Sequence, residues 1–330
     1  MDEKMESGEG PEPKLGLAAE ALVRVKSEMK KAIIGQEEAL DQMLVTLLCG
    51  GHALFEGVPG TAKTLMVRAL AAAVSLDSKR IQFTPDLMPS DITGTNVFNL
   101  SNSSFDLVKG PVFTDLLLAD EINRAPAKTQ SALLEGMNER QVTIDGKGYK
   151  LSSFFTVFAT QNPIEFEGTY PLPEAQLDRF LMKIKIDYPS HEAERAIMEA
   201  VNEGRPPERL ESSGIIPVMG PEDMAGVQAA LSSVRIEPGI VEYILGVTRA
   251  TRNHEAILVG AGPRGSIFLL QGAKARALVK GRDFVTPDDV VAMVAPVLGH
   301  RITLSTEAEI RGSSTEEVMA AILDKAEVPR

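Results

Sequence analysis

Leu54-Phe55-Glu56-Gly57-Val58-Pro59-Gly60-Thr61-Ala62-Lys63-Thr64 is the stretch on which the fold turns. Ala53, Leu54 and Phe55 form a short apolar run that reads as a buried strand, Gly57, Pro59 and Gly60 as a tight loop, and Leu65, Val67 and Leu70 as one face of a following helix. The spacing is that of a loop that cradles phosphate, with Ala62 where the usual pattern has its second glycine. In such a loop the backbone N–H groups and the helix N-terminus receive the anion. Lys63 would reach the terminal phosphates and the Thr64 hydroxyl would ligate Mg²⁺. Taken alone, the stretch also admits an ordinary glycine-rich turn with a solvated lysine.

A second motif narrows the choice. Val112 to Ala119 is largely apolar and ends in Asp120-Glu121. Two carboxylates at the end of a buried strand sit at the carboxyl edge of a parallel sheet, where open α/β sheets hold their ligands. Asp120 could hold Mg²⁺ through water while Glu121 polarises an attacking water. A further apolar run, Phe154 to Thr160, ends in Gln161-Asn162-Pro163. Its Asn162 either orients water at a terminal phosphate or simply forms a turn before proline.

Composition bounds the alternatives. The chain has 330 residues, enough for two domains, and a formal net charge of −12. That charge argues against a passive, charge-driven binder of nucleic acid or anionic membrane. One cysteine, Cys49, lies in an apolar run and allows neither an intrachain disulfide nor a cysteine metal site. The four histidines show no ligand spacing. No apolar run approaches the roughly 18 residues that span a bilayer, and the polar start lacks the apolar core of a signal peptide, so a cytoplasmic protein without membrane insertion is expected.

The remaining segments fall into two regimes. Residues 1–14 read as a disordered tail, 15–188 as a mixed α/β core, 189–220 as a connecting helix and linker, and 221–330 as helical throughout. Within the core, helices are expected over Leu17 to Met29, Glu37 to Leu48, Pro85 to Ile92 and Lys128 to Glu139, and strands over Arg80 to Phe83 and Met182 to Ile186. Two β-hairpins interrupt it, at 94–110 and at 141–151, the latter carrying an Asp145-Gly146 turn.

The ordered set Gly57 to Thr64, Leu118-Ala-Asp120-Glu121-Ile-Asn-Arg-Ala-Pro126, Ala159-Thr-Gln-Asn162-Pro163, Pro173-Glu-Ala-Gln-Leu-Asp-Arg179-Phe180 and Gly262-Pro-Arg264 closely resembles the MoxR family of AAA+ ATPases. The resemblance covers almost everything after the N-terminal tail, and alanine at the position of Ala62 is normal in it. It implies an AAA+ P-loop core with a five-stranded parallel sheet, inserted hairpins and a helical lid, assembled as a homo-oligomeric ring, usually a hexamer, with ATP between subunits. On that template Gly57, Val58, Pro59, Gly60, Thr61, Ala62, Lys63, Thr64 and Leu65 form Walker A, and Asp120 and Glu121 form Walker B. Asn162 becomes sensor 1, Arg179 the arginine finger of a neighbouring site, and Arg264 the sensor 2 group; Ile34 and Gly35 lie beside the adenine. The resemblance further implies chaperone-like work on a client protein, with an adaptor bearing a von Willebrand factor A domain. A DNA motor and an ATP-gated scaffold with little turnover are the rival classes.

Overall fold

The computed structural model describes residues 11–58, 60–101, 103–161, 169–204, 206 and 210–329. The chain opens with α1 (Pro11–Met29) and α2 (Glu37–Leu48), followed by β1 (Ala53–Glu56), α3 (Lys63–Ala73) and β2 (Ser78–Gln82). A short α4 (Pro89–Thr93) and the hairpin β3 (Gly94–Asn99) and β4 (Ser104–Lys109) precede β5 (Leu116–Asp120) and α5 (Ala127–Glu139). The second hairpin, β6 (Gln141–Ile144) and β7 (Lys147–Lys150), leads into β8 (Thr156–Gln161), α6 (Glu174–Leu177) and β9 (Met182–Lys185). From there α7 (His191–Asn202) runs towards the lid. The lid comprises α8 (Pro221–Ala230), α9 (Pro238–Arg252), β10 (Ile257–Val259), α10 (Pro263–Val279), α11 (Pro287–Leu298), β11 (Thr303–Leu304), α12 (Thr306–Ile310) and α13 (Thr315–Lys325).

Five strands form one parallel sheet in the order β2-β5-β8-β1-β9, as expected for the AAA+ α/β core. Both faces of the sheet are covered, so its strands are near-continuous apolar runs whose alternate residues feed two cores. Leu116 and Leu118 of β5, Phe158 of β8 and Phe55 of β1 enter one core; Leu117, Ala119, Val157, Ala159 and Leu54 enter the other. The Phe55 and Phe158 rings stack at 5.4 Å, fixing β1 against β8.

Several boundaries move for identifiable reasons. Helix α1 starts at Pro11, so residues 11–14 are helical rather than part of a tail; residues 1–10 lie outside the described residues. Its buried face is Leu15, Ala18, Leu22, Val25 and Met29, whereas the apolar Leu17 and Val23 are exposed. The helix expected from Pro85 begins instead at Pro89, where the Asp91 carboxylate accepts the Met88 N–H at 2.8 Å. The lid is not wholly helical: β10 and β11 pair antiparallel, a contact between segments far apart in sequence that the helical pattern of their surroundings concealed. Both hairpins form as expected, and Asp145 and Gly146 both adopt positive φ, as the tightest hairpin turn requires. Cys49 caps α2, and burial pushes its thiol up to about 12, which keeps it protonated and inert.

Lid and core are joined through buried charge. Asp41 on α2, 1% exposed, lies between Lys26 of α1 at 2.5 Å and Lys280, just beyond α10, at 2.7 Å. At the other end of the seam Asp178 meets Arg301 at 2.9 Å and Arg264 at 2.9 Å. Arg301 also donates to the carbonyls of Asp178, Phe180 and Leu181 and stacks over Phe268. A buried pair is costly to break by removing one member, because the other is left desolvated and unpaired.

His52, just ahead of β1, ties the sheet to α5. The Val157 N–H donates to its Nδ1 at 2.9 Å, which leaves Nε2 to carry the proton and donate to the Met137 carbonyl at 3.0 Å. Burial pushes its pKa from 6.5 down to about 4, the bond to Met137 opposing the shift. The folded value lies below the unfolded one, so the stability is present above about pH 6.5 and is lost as pH falls towards 4. At most this amounts to about 3 kcal/mol. Urea midpoints compared at about pH 7 and about pH 4.5 should show the wild type losing more stability on acidification than His52→Gln. Equal losses would remove this role from His52.

Candidate functional site

The strand order places the carboxyl ends of β5, β8 and β1 side by side, and the register aligns their last residues. Gln82 pairs with Asp120, Ala119 with Ala159, Phe55 with Thr160 and Glu56 with Gln161. A groove of about 640 Å³ opens over this edge, within the size range of small-molecule sites. The loop after β1 forms one wall, Asp120, Glu121, Thr160 and Gln161 another, and Ile33, Ile34, Ile197 and Val201 an apolar end.

The loop's geometry follows from close approach and backbone sign. A Cβ on Gly57 would sit 2.2 Å from the Ile186 carbonyl oxygen, so only glycine lets β1 leave the sheet beside the segment that follows β9. Ala62 adopts φ of +61° at the N-cap of α3, which explains why glycine is usual there. The first N–H groups of α3 have no acceptor within the helix and carry its positive dipole end, and this end borders the groove. Lys63 Nζ donates to the carbonyls of Gly57 at 2.5 Å and Val58 at 3.1 Å. Burial lowers its pKa, and the carboxylates of Asp120 and Glu121 oppose that shift, placing the ammonium within reach of both acids' field.

The acidic wall is a bonded network. The Thr160 hydroxyl donates to Asp120 Oδ1 at 2.5 Å and accepts the Glu121 N–H at 2.8 Å. Glu121 sits at φ of +56°, a left-handed conformation uncommon outside glycine and held here by its neighbours. Its carboxylate accepts from the Gln82 amide at 2.8 Å and pairs with Arg124 at 3.1 Å. Arg80 Nη2 donates to Asp120 Oδ2 at 2.7 Å and to Gln82 Oε1 at 2.7 Å.

Of the residues expected at the site, Gly57, Gly60, Thr61, Ala62, Lys63, Thr64, Leu65, Asp120, Glu121 and Ile34 line the groove. Val58 does not line it but lends its carbonyl to Lys63 and Thr61. Gly35 does not line the groove; a Cβ there would meet Ala193 Cβ at 2.4 Å, so this glycine admits the helix that supplies Ile197 and Val201. Pro59 and Asn162 lie outside the described residues. Arg179 and Arg264 do not line the groove. Arg179 donates to the Leu134 carbonyl at 3.0 Å and, with the Asn138 amide oxygen turned towards it, to Asn138 at 2.8 Å, while Arg264 pairs with the adjacent Asp178. The two arginines thus anchor to one patch of α5 and α6.

Sequence reading missed Thr160, Arg80, Gln82, Ile197 and Val201. A hydroxyl closing an otherwise apolar strand was the one signal for Thr160. Nothing local marked the others, because their roles arise from strand pairing and helix docking. A hydroxyl at Thr64 and a carboxylate at Asp120 suit Mg²⁺, which takes one or two protein oxygens together with phosphate and water rather than a full protein cage. Accordingly, among the described residues no group of three or more His, Cys, Asp or Glu converges on a metal position.

Known proteins resemble the chain along nearly its whole length. Residues 52–182 match the family described as ATPase family associated with various cellular activities (AAA), and residues 249–322 match the AAA lid domain. The chain is 44% identical to YeaC of Bacillus subtilis, across 96% of this chain and 95% of that one. It is also 44% identical to Chaperone MoxR1 of Mycobacterium tuberculosis, across 96% of this chain and 85% of that one. A crystal structure from Cytophaga hutchinsonii, solved as that of a candidate ATPase, superposes with a TM-score of 0.89 at 41% identity, covering 97% of this chain and 98% of the other.

Because Ala62 holds a left-handed backbone, a β-branched replacement cannot keep the loop's shape. Ala62→Val should therefore lose binding of a fluorescent ATP analogue by about tenfold or more while the thermal midpoint falls only slightly. Retained affinity would show that the loop conformation is not what receives the phosphates.

Proposed function

This chain belongs to the MoxR family of AAA+ ATPases, and from that premise we propose that it couples Mg²⁺-dependent ATP hydrolysis in a homo-oligomeric ring to chaperone-like remodelling or maturation of a client protein. The observation that carries this reading is the convergence of the Lys63 loop, the Asp120-Glu121 pair and the Thr160 hydroxyl on one groove. Phosphoryl transfer asks little covalent chemistry of the protein; it requires positioning and charge on the equatorial oxygens.

In this reading Lys63 leaves the loop carbonyls to contact the β- and γ-phosphates, and the first turn of α3 supplies N–H donors. Thr64 and Asp120 would hold Mg²⁺, which would supply positive charge against that developing on the phosphates. Glu121 orients the attacking water, and its carboxylate must first part from Gln82 and Arg124. Asn162, next in sequence after Gln161, acts as the sensor. The apolar end formed by Ile34, Ile197 and Val201 takes the base.

Arg179 completes the charge balance from a neighbouring subunit. Its absence from the groove lining of its own chain supports that assignment, and Arg264, bonded to Asp178 beside it, is offered from the same side. A ring, hexameric as is usual in the family, follows from a site completed in this way. The relative called Chaperone MoxR1 supports client work for this chain, and an adaptor with a von Willebrand factor A domain and a cytoplasmic location belong to the same reading. Among the described residues no helix is long and apolar enough to cross a membrane.

Two measurements test it. Glu121→Gln should retain ATP binding and lower phosphate release by about 10² or more, the usual scale for a general base; equal rates would leave a nucleotide-gated scaffold as the better description. Arg179→Ala and Lys63→Ala should each be inactive alone, with loss of about 10³ for the arginine, and should recover partial activity when mixed. No recovery in verified mixed assemblies would place Arg179 outside the neighbour's site.

A further inference from the structure

Arg80 lies on β2, the edge strand, in a position that no phosphate-loop or acid-pair motif assigns. Its guanidinium lines the groove and makes three contacts: Nε to Asp120 Oδ2 at 3.2 Å, Nη2 to the same oxygen at 2.7 Å, and Nη2 to Gln82 Oε1 at 2.7 Å. The other carboxylate oxygen, Oδ1, is already bonded to Thr160. Oδ2 already accepts two donors from Arg80, so a metal that takes this oxygen, directly or through a water, must displace them.

Building on the reading that Asp120 serves a metal beside a bound triphosphate, we propose that Arg80 is a tethered cation that competes with Mg²⁺ for Asp120 Oδ2. The chemistry of the competition is unequal by design. A guanidinium is a single, delocalised charge that is weakly hydrated and bonds through a fork, whereas Mg²⁺ brings two charges and is anchored further by phosphate oxygens. Arg80 is half exposed, so release costs only a solvent-screened ion pair. Without nucleotide to add its oxygens, a metal that takes Oδ2 gains one carboxylate against the loss of the arginine contact; with nucleotide it gains the phosphates as well. Arg80 therefore biases Asp120 towards accepting Mg²⁺ as a nucleotide complex instead of as the free ion. The same displacement takes from Gln82 the donor that fixes its amide, whose nitrogen end holds Glu121.

The test uses the full chain, a nonhydrolysable ATP analogue and Mn²⁺ as the metal probe, with bound Mn²⁺ read by electron paramagnetic resonance. Arg80→Gln should bind Mn²⁺ about two- to fivefold more tightly than the wild type, in proportion to the loss of a screened ion pair. Its affinity for the analogue in EDTA should stay within about twofold, a range expected when no phosphate contact is lost. In an Asp120→Asn background the Arg80→Gln gain should vanish, which separates competition at that carboxylate from a general change in charge. Unchanged or weaker Mn²⁺ binding, a gain that persists in Asp120→Asn, or a marked loss of analogue affinity in EDTA would each overturn the proposal, the last by making Arg80 a phosphate ligand. Failure of the underlying site reading looks different: the wild type would not bind the analogue, or Asp120→Asn would leave Mn²⁺ affinity untouched. If Arg80→Gln melts early, Arg80→Lys is read in its place and should tighten Mn²⁺ by a smaller factor, with no change counting against the idea.

Discussion

One hydroxyl holds the acidic half of the site together. Thr160 donates to Asp120 and accepts from the backbone of Glu121, so one side chain on β8 fixes both acids at the end of β5. This is possible because β8 pairs directly with β5 and the register, Ala119 opposite Ala159, brings Thr160 to the end of β5. A slip of one residue in β8 would turn the hydroxyl to the other face of the sheet and leave the Glu121 N–H without that acceptor. The phosphate loop and the acid pair are adjacent in space for the same reason, although they are far apart in sequence.

Around this centre, cations are distributed against the global charge. The chain is acidic overall, yet Lys63, Arg68 and Arg80 all line the groove. Each is held by a nearby acceptor: loop carbonyls for Lys63, Glu211 for Arg68 and Asp120 for Arg80. Such partners keep the cations in place and can be exchanged for phosphate or metal at modest cost, because the exposed pairs are screened by solvent. An anion site in an acidic protein thus needs no basic surface, only a local one.

The lid is fastened differently. Asp41 and Asp178 are core carboxylates, each facing one or more cations of the lid, and Arg301 is inserted among core carbonyls at the seam. Movement of lid against core would have to break contacts of Asp41 and Arg301, both buried, which is expensive. In the proposed cycle this favours motion of lid and core together against the neighbouring subunit, consistent with Arg179 and Arg264 being anchored to one patch.

Local chemistry in the sequence determined the phosphate loop, the acid pair, both hairpins and the change from α/β to helical regime, because each depends on residues within a few positions of one another. Gly57, Lys63 and the Asp145-Gly146 turn could be read directly for that reason. The tertiary structure alone decided that Thr160 would bind both acids, that Gly35 would admit α7, that Arg80 would sit on Asp120, and that β10 would pair with β11. Those outcomes depend on strand order, register and helix docking, which are set by the burial of many apolar side chains at once and leave no mark on any single stretch of chain.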